Sequence, residues 1–396
     1  MVPGRSSITV STGYPLQSTS ATASGHAQVI LPSADRYSPD GKEGLHMRGN
    51  SLHRFANTSV LAVCAIDAPV VVTSAEMDDR LAPVYRRVGL RPGMMQRLAG
   101  IHERRWWNDG TSFADGAAMA GAKAMADAGV QPRDVGLLVN TSVSRAHLEP
   151  STAVAVHHAL GLPSSCQNFD VTKACLGFVN GMQLAAAMLE SRQIDYALVV
   201  NGEDARGIHN STIARLQSGD GDAKEVFAEF ASLTLGSGAA AMVLGRSDAH
   251  PEGHRFLGGA TRTASEHHLL CVGDNDYMHT DSTGLMNAGL ALSVDLWTES
   301  AADFGWDRES AGRAGLRDID RYVMHQVSSV HTKAISQALD IDLDRAPTSF
   351  PTRGNLGPAA IPFTLAGIAD ELSEGERVLL MGIGSGLNAS VSEIVW

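Results

Sequence analysis

Cysteine is scarce in this sequence, and so are the spacings that would give it a structural role. The 396 residues include four cysteines, Cys64, Cys166, Cys175 and Cys271, and no two of them form a C-x-x-C pair. A zinc site or a disulfide framework needs closely spaced or numerous cysteines. The sequence therefore predicts free thiols and a reducing, cytoplasmic location.

Long apolar runs and an excess of positive charge are also missing. The apolar stretch Val60–Val72 is interrupted by Asp67 and Pro69 and is too short to span a bilayer, so we expect no integral membrane protein. The formal net charge is −12, from 31 basic and 43 acidic residues. An acidic chain has no bulk attraction for nucleic acid or anionic lipid, and we expect no nucleic acid partner.

Residues 1–55 differ in composition from the rest of the chain. Ser, Thr, Gly, Pro and His dominate this segment, and no helical or strand period persists in it. We interpret 1–55 as a disordered N-terminal extension, with Met47 as an alternative start of translation.

Strand and helix patterns alternate from Thr58 to the C-terminus. Short apolar runs such as Val135–Thr141, Tyr196–Asn201 and Arg377–Gly382 are typical of strands that are covered on both faces. Apolar helical segments such as Leu176–Ser191 lie between them. The alternation predicts an α/β protein with mixed, mostly parallel sheets, and the similar rhythm of its two halves indicates an internal duplication.

Cys175 is placed where a thiol can become reactive. It stands between the strand-like segment Asn168–Val171 and an apolar helix. A thiol at a helix N-terminus faces unpaired N–H groups and the positive end of the helix dipole, which favour the thiolate. A buried, inert cysteine is the alternative, and it is our interpretation of the other three cysteines, which lack this placement.

Two polar residues further along the chain complete a candidate set. His325 closes the strand-like segment Tyr322–His325, and catalytic groups of α/β folds gather at the carboxyl ends of strands. Asn355 lies in the turn Gly354–Pro358, whose glycines allow close backbone approach. A papain-like hydrolase would use such a histidine to activate the cysteine. A condensing enzyme would acylate the cysteine and use His and Asn to donate hydrogen bonds to an enolate-like oxygen.

Five motifs in series resemble those of ketoacyl-acyl-carrier-protein synthase III and its relatives. They are Asp170-Val-x-x-Ala-Cys-Leu-Gly-Phe178, Leu235-Gly-x-Gly-Ala-Ala-Ala-Met242, His325-Gln326, Gly354-Asn-x-Gly-Pro-Ala-x-Ile-Pro362 and Gly382-Ile-Gly-Ser-Gly386. The resemblance implies a duplicated thiolase fold with five alternating layers, α-β-α-β-α, in a protein that is normally a homodimer. It places an N-terminal half at 56–250, with the nucleophile and an inserted cap near 207–232, and a C-terminal half at 251–396.

The same resemblance assigns roles to the candidate residues. Cys175 resembles the acylated nucleophile, and His325 and Asn355 resemble the pair that stabilises the enolate. The backbone N–H groups of Cys175 and Ser385 match the second oxyanion hole.

A narrower resemblance is to the acyl-CoA condensing enzymes of bacterial olefin biosynthesis. Thr141-Ser-Val-Ser-Arg-x-x-Leu-Glu-Pro-Ser-Thr152 and His325-Gln-Val-Ser328 are similar to that subgroup. Such enzymes join two fatty acyl-CoAs head to head into a 2-alkyl-3-oxoalkanoate. The resemblance implies that Glu149 reaches the partner's active site, where a carboxylate of raised pKa in an apolar pocket suits removal of an α-proton. The alternative is that Glu149 only stabilises the following helix, because its negative charge lies near the positive end of the helix dipole.

The resemblance therefore predicts an acyltransferase that uses fatty acyl-CoA substrates and needs no metal or redox cofactor. Downstream enzymes of olefin formation are the expected protein partners. Two alternatives stay open at this point: a synthase III that uses malonyl-acyl carrier protein, and a Cys-dependent acyl-CoA hydrolase.

Overall fold

The computed structural model describes residues 52–396. In chain order, strands β1–β14 are Leu52–Arg54, Ser59–Asp67, Val70–Thr73, Glu103–Trp106, Leu137–Asn140, Gln167–Asp170, Tyr196–Glu203, Gly238–Gly245, His254–Thr263, Cys271–Gly273, Met278–Thr280, Arg321–Met324, Arg377–Gly384 and Asn388–Val395. Helices α1–α11 are Ser74–Val88, Phe113–Asp127, Thr152–Ala159, Gly177–Glu190, Arg206–Ser218, Ala223–Leu233, Ser282–Phe304, Arg308–Ala314, Ser329–Ala338, Phe350–Arg353 and Ala360–Ile368.

The N-terminal extension that we expected over 1–55 lies outside the described residues as far as residue 51. Its last residues are structured, because β1 pairs with β9 and the ring of Phe55 stacks on Phe256 with the centroids 5.4 Å apart. The expected boundary at residue 55 is therefore too late. Three strand residues and one aromatic anchor are too short a pattern to show a period in the sequence.

Ten strands form one mixed sheet, and the order of its strands repeats. The order is β12-β13-β14-β9-β2-β8-β7-β5-β6, with β1 beside β9. In the first half, β2 pairs antiparallel with β8, β8 antiparallel with β7, and β7 parallel with β5. In the second half, β9, β14, β13 and β12 repeat these three pairings in the same directions. The repeat is the internal duplication that the sequence indicated.

Parallel pairing is less extensive than we expected. It joins β5 to β6 and to β7, and β12 to β13, whereas the remaining neighbours in this sheet are antiparallel. Only residues 385–387 separate β13 from β14, and so short a connection can join antiparallel strands only.

Apolar side chains alternate along the strands and divide the core into layers. On β5, Leu137 and Val139 face one cluster and Leu138 faces another. The first cluster also contains side chains of α4, α11 and the strands of both halves, so these helices lie between the two sets of strands. Helices α2 and α3 cover the outer face of the first set, and α7 covers that of the second. The predicted α-β-α-β-α layering is thus present.

Two helices occupy the segment that we expected to be an inserted cap. They are α5 and α6, and they pack against each other, with α1 beside α5 and β11 beside α6. Within residues 52–396, no helix is both long enough and apolar enough to cross a membrane.

Candidate active site

Cys175 lies in a tight turn between β6 and α4, as its position in the sequence predicted. Leu176 N donates to Lys173 O at 3.0 Å, and Ala174 has a φ of 43°, in the left-handed region that an alanine seldom adopts. Such backbone strain persists only where the surrounding structure imposes it, and it is frequent at active sites. The turn places Cys175 just before the N-terminal end of α4.

The thiol of Cys175 is held in its neutral form, contrary to our expectation. Burial raises its pKa to about 12, and the nearby Cys271 and Glu203 add smaller increases. Loss of hydration thus outweighs the favourable end of the helix dipole. Cys175 must therefore lose its proton as it attacks, because little thiolate exists beforehand at neutral pH.

His325 follows the last residue of β12 and is 7% exposed. Its backbone N–H donates to Met381 O at 2.8 Å, which fixes it beside β13. Its Nδ1 is buried and has no hydrogen-bond partner among residues 52–396. Burial, with a smaller contribution from His331, lowers the pKa of His325 to about 3. The imidazole is therefore neutral and has one N–H to donate to a ligand.

The side chain of Asn355 is oriented by its own turn. Oδ1 accepts a hydrogen bond from Gly357 N at 2.9 Å, and the backbone N–H of Asn355 donates to Thr234 O at 2.8 Å. The preceding Gly354 has a φ of 70°, and a Cβ there would lie 2.7 Å from Thr234 O, so this position requires glycine. Because Oδ1 is occupied, Nδ2 is the group left to donate to a ligand.

The end of β13 packs directly on the nucleophile turn. A Cβ on Gly384 would lie 3.4 Å from the backbone N of both Cys175 and Leu176, and a Cβ on Gly382 would lie 2.3 Å from Leu176 Cδ2. These glycines let the strand approach the turn closely. Ser385, the next residue after Gly384, therefore lies near Cys175. Strands β12 and β13 are adjacent and parallel, so His325, which follows β12, lies at the same end of these strands.

Glu149 does not join these residues within this chain. It lies in the loop between β5 and α3 and is exposed, and the side chain of Leu148 beside it is fully exposed. The apolar pocket that we expected around this carboxylate is not built by the described residues of the same chain.

Sequence reasoning missed Glu203, the last residue of β7. It is 8% exposed, and a Cβ on Gly357 would lie 3.8 Å from its Cγ, which places it beside the Asn355 turn. Burial raises the pKa of Glu203, and hydrogen bonds from Ser144 and Val143 oppose that shift. Its position at the end of the buried strand Tyr196–Glu203 could have identified it from the sequence. Cys271, which we interpreted as structural, is also close enough for its charge to affect Cys175.

Comparison with known proteins places this arrangement in a family. Residues 169–265 match the family described as 3-oxoacyl-[acyl-carrier-protein (ACP)] synthase III, and residues 311–396 match its C-terminal part. The chain is 43% identical over 344 residues to an acyl-CoA:acyl-CoA alkyltransferase of Xanthomonas campestris, which covers 86% of this chain and 99% of that relative. It is 34% identical over 343 residues to a protein of the same name from Shewanella oneidensis, covering 83% and 96%.

Solved structures that are similar to this chain come from one of the same organisms as the similar sequences. A cysteine-to-serine variant of Xanthomonas campestris OleA, with bound lauric acid and lauroyl-CoA, matches with a TM-score of 0.82 at 43% identity, over 86% of this chain and 100% of that one. Variants of the same protein at a histidine and at a glutamate match with TM-scores of 0.83 at the same identity, each over 87% of this chain and 99% or 100% of the other. The duplicated thiolase fold is therefore confirmed, and the chain belongs to the family of the acyl-CoA:acyl-CoA alkyltransferases.

Proposed function

We propose that the chain catalyses a non-decarboxylative Claisen condensation of two fatty acyl-CoAs to a 2-alkyl-3-oxoalkanoate. The observation that carries the proposal is the 43% identity to an acyl-CoA:acyl-CoA alkyltransferase. The neutral His325 and the free Nδ2 of Asn355 support it, and we propose that these two groups act together as donors. Two hydrogen-bond donors without a full positive charge suit a thioester oxygen that gains negative charge during the reaction.

The first step transfers an acyl group to Cys175. Its Sγ bonds to the carbonyl carbon of one acyl-CoA, the bond from that carbon to the coenzyme A sulfur breaks, and the thiol proton leaves on coenzyme A. The backbone N–H groups of Cys175 and Ser385 hold the oxyanion of the tetrahedral intermediate.

The second step forms the carbon–carbon bond. The carboxylate of Glu149 from a second copy takes an α-proton of the second acyl-CoA, and the electron pair moves to the carbonyl oxygen, where His325 and Asn355 donate hydrogen bonds. The α-carbon then attacks the Cys175 thioester, and the cysteine leaves and regains a proton from Glu149. The product is a 2-alkyl-3-oxoacyl-CoA, which hydrolysis converts to the acid.

A carboxylate base is needed because neither substrate can lose carbon dioxide. A synthase III obtains its carbanion from a malonyl unit by decarboxylation, whereas two plain acyl-CoAs yield one only if a C–H bond is broken. For this reason we propose Glu149 as the base that removes the α-proton.

We also propose a homodimer in which the loop of Glu149 reaches the other protomer. Leu148 is 101% exposed and Val143 46% exposed on this loop, and contact with a second chain would remove this apolar surface from water. β6, at the end of the sheet beside this loop, has one unpaired edge among the described residues, and such an edge is open to another chain. Light scattering should give a mass near twice 41.7 kDa.

The reactivity of the proposed product indicates which enzymes act next, and the free thiols indicate the compartment. A β-keto acid loses carbon dioxide readily, so an enzyme that reduces its ketone would have to take it up soon after release. We propose that such downstream enzymes of lipid metabolism are its partners. The four cysteines are free, which fits a reducing cytoplasm.

The test is mass spectrometry of the products that purified protein forms from one long-chain acyl-CoA. We expect a two-chain β-keto product, or the ketone left by its decarboxylation, from the wild type and from neither Cys175→Ala nor Glu149→Gln. Free fatty acid alone would favour a hydrolase. A product that forms only after a malonyl donor is added would show a synthase III and would remove the role of Glu149.

A further inference from the structure

The motif Thr141–Arg145 is bonded along its length to the end of β7. Thr141 N and Oγ1 both donate to Val200 O, at 2.9 and 3.0 Å. Ser142 Oγ accepts a hydrogen bond from Gly202 N at 3.0 Å. The first part of the loop that carries Glu149 is thus built onto a buried strand rather than left free.

Glu203 forms the centre of this attachment. Its Oε1 accepts a hydrogen bond from Val143 N at 2.8 Å, and its Oε2 accepts two, from Ser144 N at 3.0 Å and Ser144 Oγ at 2.7 Å. Ser144 Oγ in turn accepts from Asp204 N at 3.0 Å. Among residues 52–396 no Lys or Arg forms an ion pair with Glu203. Apart from the side chain of Asn201 on β7, the donors that stabilise this buried carboxylate come from the loop.

The other side of the loop is fixed as well. Arg145 donates to Thr172 Oγ1 at 2.6 Å and lies 3.6 Å from a carboxylate oxygen of Asp170. Asp170 also accepts from Thr152 N at 3.0 Å, at the start of α3. The exposed segment 146–150, which contains Glu149, is therefore attached on both sides to the strands that lead to Cys175 and Glu203.

We propose that Glu203 is a positioning residue for the condensation step, holding the loop that presents Glu149 to the active site of a second copy. The inference rests on the proposed function, because it concerns the residue proposed there as the base. Three donors of the loop converge on Glu203, and a carboxylate accepts from all of them, whereas a glutamine would turn an NH2 group toward at least one. Glu203 touches neither acyl group in this role, so acyl transfer to Cys175 depends on it only through the small effect of its charge on the pKa of that thiol.

The test measures the two half-reactions separately in Glu203→Gln. Acylation of Cys175 is followed by the mass of the protein after rapid mixing with one acyl-CoA, and condensation by the two-chain product at steady state. We expect acylation within about twofold of wild type and a kcat for condensation about 10- to 100-fold lower, because a displacement of roughly 1 Å at a reacting group costs that much. Ser144→Ala should shift the same ratio in the same direction by a smaller factor.

Glu190→Gln is the matched control. Glu190 Oε1 accepts a hydrogen bond from Asn57 N at 2.6 Å and from Thr58 Oγ1 at 3.0 Å, so this carboxylate also holds a loop by a backbone N–H and a hydroxyl. It ends α4, whose 14 residues put it about 20 Å from the Cys175 end. Both half-reactions should stay at the wild-type rate in this variant.

The ratio of the two rates decides the inference. Equal losses of acylation and condensation in Glu203→Gln, or condensation at the wild-type rate, would overturn it. If Glu203→Gln does not fold, Ser144→Ala is judged by the same ratio. If wild type forms an acyl-enzyme but never a two-chain product, the proposed function is wrong and this inference falls with it.

Discussion

The raised pKa of Cys175 gives a prediction about its reactivity. The thiolate is the nucleophile, and below the pKa its fraction grows about tenfold per pH unit. With a pKa of about 12, the alkylation rate of Cys175 should still rise between about pH 8 and pH 10, where an ordinary cysteine levels off. Timed labelling with iodoacetamide and peptide mass spectrometry measure this rate. A plateau by about pH 8 would show that the helix dipole prevails over burial.

His209 provides a second prediction, about stability. It is fully buried, accepts a hydrogen bond from Trp106 Nε1 at 3.0 Å, and its pKa is lowered to about 3, mainly by burial and then by Arg104 and Arg80. The unfolded chain takes up a proton at this histidine near pH 6.5 and the folded chain does not. The free energy of unfolding therefore falls as pH falls below about 6.5, by up to ~1.4 kcal/mol per pH unit for this residue.

His209→Gln keeps an acceptor for Trp106 and removes the titrating group. Urea unfolding at about pH 6.5 and pH 5.5 should show a shallower loss of stability in the variant than in wild type, by roughly 1 kcal/mol. An unchanged difference between the two pH values would mean that His209 is protonated in the folded protein.

At the scale of elements, a buried ion pair joins β13 to β14. Arg377 Nε donates to Glu393 Oε1 at 2.7 Å, and the two side chains are 4% and 2% exposed. Arg377 also donates to Gly305 O at 2.9 Å, and Trp306 Nε1 donates to Glu393 Oε2 at 2.8 Å. Because Arg377→Met leaves the Glu393 charge buried and unpaired, we expect it to lower the free energy of unfolding by about 3–5 kcal/mol.

The exposed pair of Arg313 and Glu309 is the control for that prediction. The two atoms are 2.7 Å apart within α8, but the side chains are 65% and 81% exposed. Arg313→Met should cost no more than about 0.5 kcal/mol in urea unfolding. Similar costs in the two variants would contradict the argument that burial decides the effect.

Glu393 also explains why β14 could not be predicted from the sequence. Apolar runs such as Tyr196–Asn201 identify a buried strand, and the structure has β7 there. On β14, Ser390, Ser392 and Glu393 are buried although they are polar, because Gln183, Thr261 and Arg377 bond to them across the core. The alternation of Ala389 and Val391 with serines stops at Glu393, and the partners that make the burial of these polar residues tolerable lie on other elements.

The candidate site likewise has residues that the sequence identifies and residues that it does not. Cys175, His325 and Asn355 stand at strand ends or in glycine turns, and such places are visible in a sequence. Glu203 is harder to find, because two of its donors are the backbone N–H groups of Val143 and Ser144, which any residue at those positions would supply. The exposure of Glu149 is likewise a property of the fold and not of a motif.

For the whole molecule, the duplication divides the candidate residues between two halves. Cys175 precedes α4 of the first half, whereas His325 and Asn355 belong to the second, and the middle layer of α4 and α11 packs against the strands of both. Neither half holds the complete set. The proposed base, Glu149, would extend this division to a second chain, so that a working site combines three pieces.

That division predicts complementation between two inactive variants. Cys175→Ala lacks the nucleophile and Glu149→Gln lacks the base, so each homodimer should be inactive. In a mixed dimer, one site combines Cys175 of one chain with Glu149 of the other and is complete. Random mixing of equal amounts makes half of the dimers mixed, each with one working site, so a two-fold symmetric dimer should recover about a quarter of the wild-type condensation rate.

The measurement is the rate of two-chain product formation after the variants are co-expressed with different affinity tags and purified through both. Selecting for both tags leaves only mixed dimers, so the recovered rate should rise to about half of wild type. Two variants of the same type, Cys175→Ala and Cys175→Ser, should recover nothing under this protocol, because no site in their mixed dimer has a nucleophile. If Cys175→Ala and Glu149→Gln also recover nothing, while the mixed dimer is intact by light scattering, then Glu149 serves the Cys175 of its own chain and the exposed loop must fold back to reach it.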